Sequence, residues 1–155
     1  MSLATDSIFI AAISANEALM QRIGGRLYST SIPLPDEDLD NAPVPYVIVC
    51  FDGLTNDQTT KDDPFESDSD QVNISIEVAA ENRTTLAELM QTIRETVHAY
   101  MLAQVDADAN FPIEDYQFSA DAIQYVAAKP CYWQTLRYQC DVFNVNEDTD
   151  EQEND

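Results

Sequence analysis

The chain has 155 residues, of which 29 are acidic and seven basic, giving a net charge of −22. That balance opposes nucleic-acid binding, which draws its affinity from Lys and Arg on phosphates, and docking on an anionic membrane. The length fits one domain, residues 1–145, able to bury a core without a disulfide or metal staple, and three Gly with seven Pro exclude a fibrous or low-complexity chain.

The first residues lack the basic stretch of a signal peptide, and no apolar run approaches the roughly 18 residues of a membrane span. Asp6 is placed to cap a first helix. Ile8, Ala11, Ala12, Ala15 and Leu19 share one face of it, and Gly24-Gly25 stops it. Arg26 to Thr30 reads as a short strand. Ser31 to Pro45, with four prolines and four acids, reads as a loop or irregular edge. Tyr46 to Phe51 is continuously apolar and β-branched, the pattern of a central strand covered on both sides.

Asp52 to Asp70 holds seven acids and a single base, Lys61. It reads as a long polar loop, and loops of that length are usually functional or disordered. Residues 71–79 alternate Val72, Ile74, Ile76 and Val78 with polar or small neighbours, as a half-buried strand does. The period then becomes helical over 84–103, with Leu86, Leu89, Met90, Ile93, Val97, Tyr100 and Met101 on one stripe and Thr85 with Glu88 at capping-box spacing. Tyr116 to Ala128 changes parity part-way, which a bulge near Asp121-Ala122 would reconcile. Leu136, Tyr138, Cys140 and Val142 give a last, well-alternating strand over 132–143. The tail 146–155 has six acids and no base and is expected to be disordered. The fold class expected is α+β, a mostly antiparallel sheet of about four to five strands with two main helices on one face.

No enzyme motif emerges. His98 is the sole histidine and sits off the apolar stripe of its helix, as a solvated residue does; a metal or catalytic role would need further ligands. Asp62, Asp63, Glu66, Asp68 and Asp70 lack the order of an EF-hand, so a solvated acidic loop is the reading there. Gly24-Gly25 lacks the Lys-Ser/Thr ending of a phosphate loop. Cys50, Cys131 and Cys140 show no CxxC spacing and read as free thiols. No cofactor or metal is expected. Trp133, Tyr132, Tyr125 and Tyr138 cluster near the C-terminal strands. Aromatics at strand spacing are mostly core, but an exposed subset would mark an interface, with Arg137 a natural member.

The helix–Gly turn–strand start (Gly24 to Tyr28), the Pro-rich entry to a buried strand (Pro43 to Val49), the strand–helix unit Val72 to Met101 and the closing strands ending Leu136 to Val142 together resemble the tail-terminator, or tail-completion, proteins of long-tailed phages and prophages. The resemblance is one of element order over most of the chain; the acidic tail departs from it. It implies a structural protein that caps the tail tube and joins it to the head, assembled as a ring. Its partners would be further copies of itself, joined either in isolation or only on the tube, with tail-tube and head-completion proteins, and neither nucleic acid nor membrane would be stably bound. Its place would be the bacterial cytoplasm during assembly and then the virion tail. Interface residues expected on this reading are Asp57, Lys61, Asp62, Asp63 and Phe65 in the acidic loop, with Trp133 and Arg137 on the last strand. The acidic wall suits a channel through which DNA moves without being trapped.

Two other classes fit the composition. An acidic adaptor or DNA-mimic inhibitor would set its acids on the rigid fold, whereas thirteen of the 29 lie in the loop and tail. A small enzyme would need a concave site with convergent polar groups, and no sequence feature points to one.

Overall fold

The computed structural model describes residues 2–30, 43–56, 68–127 and 130–143. The expected acidic tail 146–155 and the central part of the expected acidic loop lie outside them. The architecture is α+β, and the sheet is mostly antiparallel with its helices on one face. In chain order the elements are α1 (Asp6–Ser14), α2 (Glu17–Arg22), β1 (Leu27–Ser29), β2 (Tyr46–Thr55), β3 (Ser69–Ala80), α3 (Arg83–Ala107), β4 (Ile113–Ala120), β5 (Gln124–Val126) and β6 (Cys131–Phe143). The six strands run β1-β2-β3-β6-β4, with β5 also paired to β6, and only β1–β2 is parallel.

The single N-terminal helix that periodicity suggests is two helices. Asn16 takes an extended conformation between them, and its Oδ1 accepts from the Leu19 amide at 3.1 Å as the cap of α2. Its Nδ2 donates to Thr96 Oγ1 of α3 at 2.9 Å, so one side chain both breaks the first helix and ties it to the longest one. Asp6 is not a cap. It is the first residue of α1, and at the preceding position the Thr5 hydroxyl donates to the Ser2 carbonyl at 2.6 Å. Gly24 and Gly25, at φ +63° and +74°, turn the chain from α2 into β1 through the left-handed region.

β2 runs past Phe51 through a bulge at Gly53 (φ +127°), and the ladder with β3 continues to Thr55 opposite Gln71. The stretch 52–70 is therefore strand at both ends, and the polar connection is shorter than the sequence suggests. The central strand is β3, flanked by β2 and β6, in place of the Tyr46–Phe51 run. Val47 and Val49 are fully buried under the helices, but Tyr46 and Cys50 on the other face are only partly covered. The expected break near Asp121-Ala122 is complete: the chain leaves the sheet after Ala120 and rejoins it as β5.

The core lies between the helices and one face of the sheet. Leu86, Leu89, Met90, Ile93, Val97 and Met101 of α3 and Phe9, Ile13, Leu19 and Ile23 of the N-terminal helices pack on Val47, Val49, Val72, Ile74, Ile76, Val78, Leu136, Tyr138, Cys140 and Val142. The N-cap of α3 is Asn82, whose side chain accepts from the Thr85 amide at 2.8 Å. The capping box read at Thr85 and Glu88 is thus displaced by three residues, and Glu88 instead pairs with Arg22 of α2.

Candidate functional site

The helices cover one face of the sheet, and no described helix covers the other, where Ile48, Ser75, Ala79 and Thr135 are nevertheless buried and Arg137 and its neighbours reach solvent. Because side chains alternate along each strand, the open face collects the residues out of phase with the core: Asp52 of β2, Asn73, Ser75 and Glu77 of β3, Trp133, Thr135, Arg137 and Gln139 of β6, and Gln117 and Ser119 of β4. Six of these, Asp52, Asn73, Gln117, Ser119, Arg137 and Gln139, line a hollow of about 440 Å³. Its floor is sheet backbone, and its walls are amides, a hydroxyl and charges.

Arg137 sits in the middle of this face, opposite Ser75 on one neighbouring strand and Ser119 on the other. Small residues on both sides leave room for the guanidinium. It makes a two-pronged ion pair with Asp121, Nε to Oδ1 at 2.9 Å and Nη2 to Oδ2 at 2.8 Å, and Asp52 lies 3.9 Å from Nη1. The Asp121 carboxyl is held below the usual aspartate range by those hydrogen bonds. The Glu77 carboxyl is pushed up, chiefly by burial and then by Asp52, with Arg137 opposing. Asp121 and Asp52 pair with the guanidinium and Glu77 feels its charge at longer range, so the face keeps a negative excess around a fixed cation.

Trp133 lies on the same face, four residues before Arg137, with Thr135 buried between them. The two expected interface residues on β6 therefore do share one surface. Of the aromatic group read with them, Tyr138 belongs to the core. It is 2% exposed and packs on Phe9, Tyr116 and Phe118, with centroids 5.0, 5.5 and 5.2 Å away. Tyr125 is exposed and rests on Tyr132 at 4.9 Å. Asp57, Lys61, Asp62, Asp63 and Phe65 lie outside the described residues. Asp52, Glu77 and Asp121 were not singled out from sequence. Glu77 was legible, because it falls out of phase with Ile76 and Val78 on a half-buried strand. Asp52 was hidden by the Asp-Gly pair that reads as a strand end, and Asp121 by the change of parity around it.

Nothing on this face is arranged as a nucleophile and base. His98 is exposed on α3, on the far side of the sheet, where its Nδ1 lies 2.5 Å from the Tyr116 hydroxyl. Burial pushes the Cys140 thiol up to about 12, which keeps it protonated. Among the described residues no group of three or more His, Cys, Asp or Glu side chains could hold a metal ion, and no helix is long and apolar enough to cross a membrane. What the face offers is recognition: fixed charges, amide groups and the rings of Tyr46, Trp133 and Phe143 on the sheet.

No protein-family model and no curated protein sequence matches this chain. Among solved structures, a chain from the "Virion of native gene transfer agent (GTA) particle" superposes with a TM-score of 0.53 at 14% identity, covering 89% of this chain and 93% of that one. At that identity the likeness is one of fold, and it spans nearly the whole of both chains.

Proposed function

We propose that this chain is a structural component of a phage-like virion, and within that class a tail-terminator-like protein that caps the tail tube and joins it to the head as a ring. The observation that carries the reading is the end-to-end fold likeness to a gene transfer agent virion chain. The charge of the molecule supports it, since a net −22 surface beside a DNA channel repels the polyanion where a basic one would hold it. The open sheet face supports it too: it presents fixed charges, amides and aromatic rings on a hydrogen-bonded sheet, as a docking surface requires.

On this reading the partners are further copies of the chain, the tail tube and head-completion proteins. The protein acts in the bacterial cytoplasm and is then carried in the virion tail, with no cofactor and no catalytic step. A ring needs head-to-tail contacts that close on rotation. Arg137 and Trp133 would lie in such a contact, with Asp57, Lys61, Asp62, Asp63 and Phe65 of the acidic connection as its other element.

The test is electron microscopy of the purified protein mixed with cognate tail tubes, together with tails assembled by a phage lacking the gene. Capped tubes of uniform length with the protein, and overlong or headless tails without it, are the expected results. Tight binding to duplex DNA at physiological salt, or normal head-competent tails in the deletion, would overturn the reading.

A further inference from the structure

The two edges of the sheet are unequal. β1 offers three residues, whereas β4 offers eight and, among the described residues, pairs on one side only, with β6. The outward backbone groups of an edge strand are a template for another strand. Between the start of β4 and the C-terminal turns of α3 the packing leaves a cleft of about 210 Å³, whose apolar lining includes Met101, Leu102, Val105, Phe111 and Ile113. Leu102 and Val105 are 56% and 54% exposed, among the most exposed large apolar side chains of the described residues. Apolar surface therefore lies beside a strand edge that no other described strand pairs with.

Charge restricts what fits there. Glu114 and Asp115 also line the cleft, both exposed, with His98 and with no Lys or Arg among the described residues. Glu114 accepts from Ser69 Oγ at 2.9 Å and Asp115 from the Tyr116 amide at 2.8 Å, so each carboxylate keeps further acceptor capacity for a cation while the Tyr116 amide is already taken. The helix side adds Asp106 next to Val105, and Asp108 follows the helix end. β4 itself carries no base. Two copies meeting edge to edge at β4 would bring together chains of net charge −22 with no cation from either strand. The same acids that oppose self-pairing favour a cationic strand.

We propose that the β4 edge and the adjoining α3 cleft form an acceptor site for an extended, basic segment of a partner protein. The segment adds a strand to the sheet through main-chain hydrogen bonds, and alternate apolar side chains seat on Leu102, Val105 and Phe111. Its Lys or Arg residues meet Glu114 and Asp115. The site joins the outer edge of β4 to the helix-side cleft, whereas the Arg137 hollow lies on the open face and shares only Gln117 to Ser119 of β4 with it. The proposal stands whether or not the chain belongs to a tail.

The test uses the full chain, isotope-labelled for NMR, titrated with an acetylated peptide of alternating Lys and Val as long as the eight-residue β4. A peptide of alternating Glu and Val is the control. Expected are saturable shifts of the 113–120 amides and of the Leu102 and Val105 methyls, weakening with salt, and no comparable binding of the Glu peptide. The double substitution Leu102→Gln with Val105→Gln, at exposed positions, should keep the core spectrum and weaken binding by roughly tenfold or more. Glu114→Gln with Asp115→Asn, which preserves their acceptor oxygens, should flatten the salt dependence. No saturable shift at millimolar peptide, equal binding of both peptides, shifts centred on Asn73, Arg137 and Gln139 or on the β1 edge with Leu102 and Val105 unmoved, or concentration-dependent self-association through β4 would each overturn the proposal.

Discussion

Removing the Arg137 guanidinium would leave Asp52, Glu77 and Asp121 on the open face with no cation among them. Arg137→Ala should raise the titration of both Asp121 and Glu77, since it lowers each, and NMR titration of the side-chain carboxyls would read both. Global stability should change little, because the ion pairs are largely exposed. Glu77 has a pH signature of its own. Its folded pKa lies above its unfolded value, so its contribution to stability is full below the ordinary glutamate range and is lost as pH rises through the raised value. Glu77→Gln should remove that component and stabilise the protein at neutral pH, as seen in denaturant midpoints compared across the acid-to-neutral range. Tyr138 presents a different test. Its hydroxyl is buried without a hydrogen-bond partner among the described residues, and burial pushes its pKa upward. Tyr138→Phe should be neutral or stabilising by about 1 kcal/mol, because it removes an unsatisfied polar group while keeping the ring contacts. A clear loss of stability would show that the hydroxyl is satisfied.

Among the elements, α3 and β3 account for most of what sequence periodicity revealed. Leu89 and Ile93 fall on the stripe the sequence predicts and are fully buried. Truncating either to Ala should cost about 2 to 5 kcal/mol in denaturant melts. Asn82→Ala should cost about 1 kcal/mol as a lost cap, whereas the same change at Thr85 leaves the capping oxygen of Asn82 in place. Periodicity succeeded where one face is uniformly apolar over several turns or pleats, as in α3, β3 and β6. It failed where a single side chain overrides the pattern. Asn16 splits a helix whose apolar face runs through the break. Gly53 bulges a strand whose ladder continues beyond it. The open-face site was half legible: Trp133 and Arg137 follow from strand parity, but the carboxylates gathered on Arg137 come from three other segments that only the sheet order brings together.

At the scale of the whole molecule, the one-sided layer separates two chemistries. The helix side buries the core. The open side displays charges and amides around Arg137, and the β4 edge adds an acidic, partly apolar margin. The net charge of −22 should keep the purified protein off duplex DNA at physiological salt, and a gel-shift or anisotropy titration would check it. A salt-sensitive association with DNA would contradict the charge balance and the proposed role together.

The sheet order also governs how the chain comes off the ribosome. β3, the middle strand, needs β6 on its free side, and β6 follows every other described element after α3, β4 and β5 have been made. Until Cys131–Phe143 emerges, the nascent chain holds β1, β2 and β3 with the inner edge of β3 bare, a strand of alternating Val and Ile. Such long-range pairing folds slowly and leaves a sticky edge while it waits. A fragment ending before Cys131 should therefore aggregate, and supplying the missing strand as a separate peptide should rescue part of its solubility. For this topology, termination before β6 yields an adhesive intermediate with no working sub-structure, and Cys131–Phe143 must emerge before the central ladder can close.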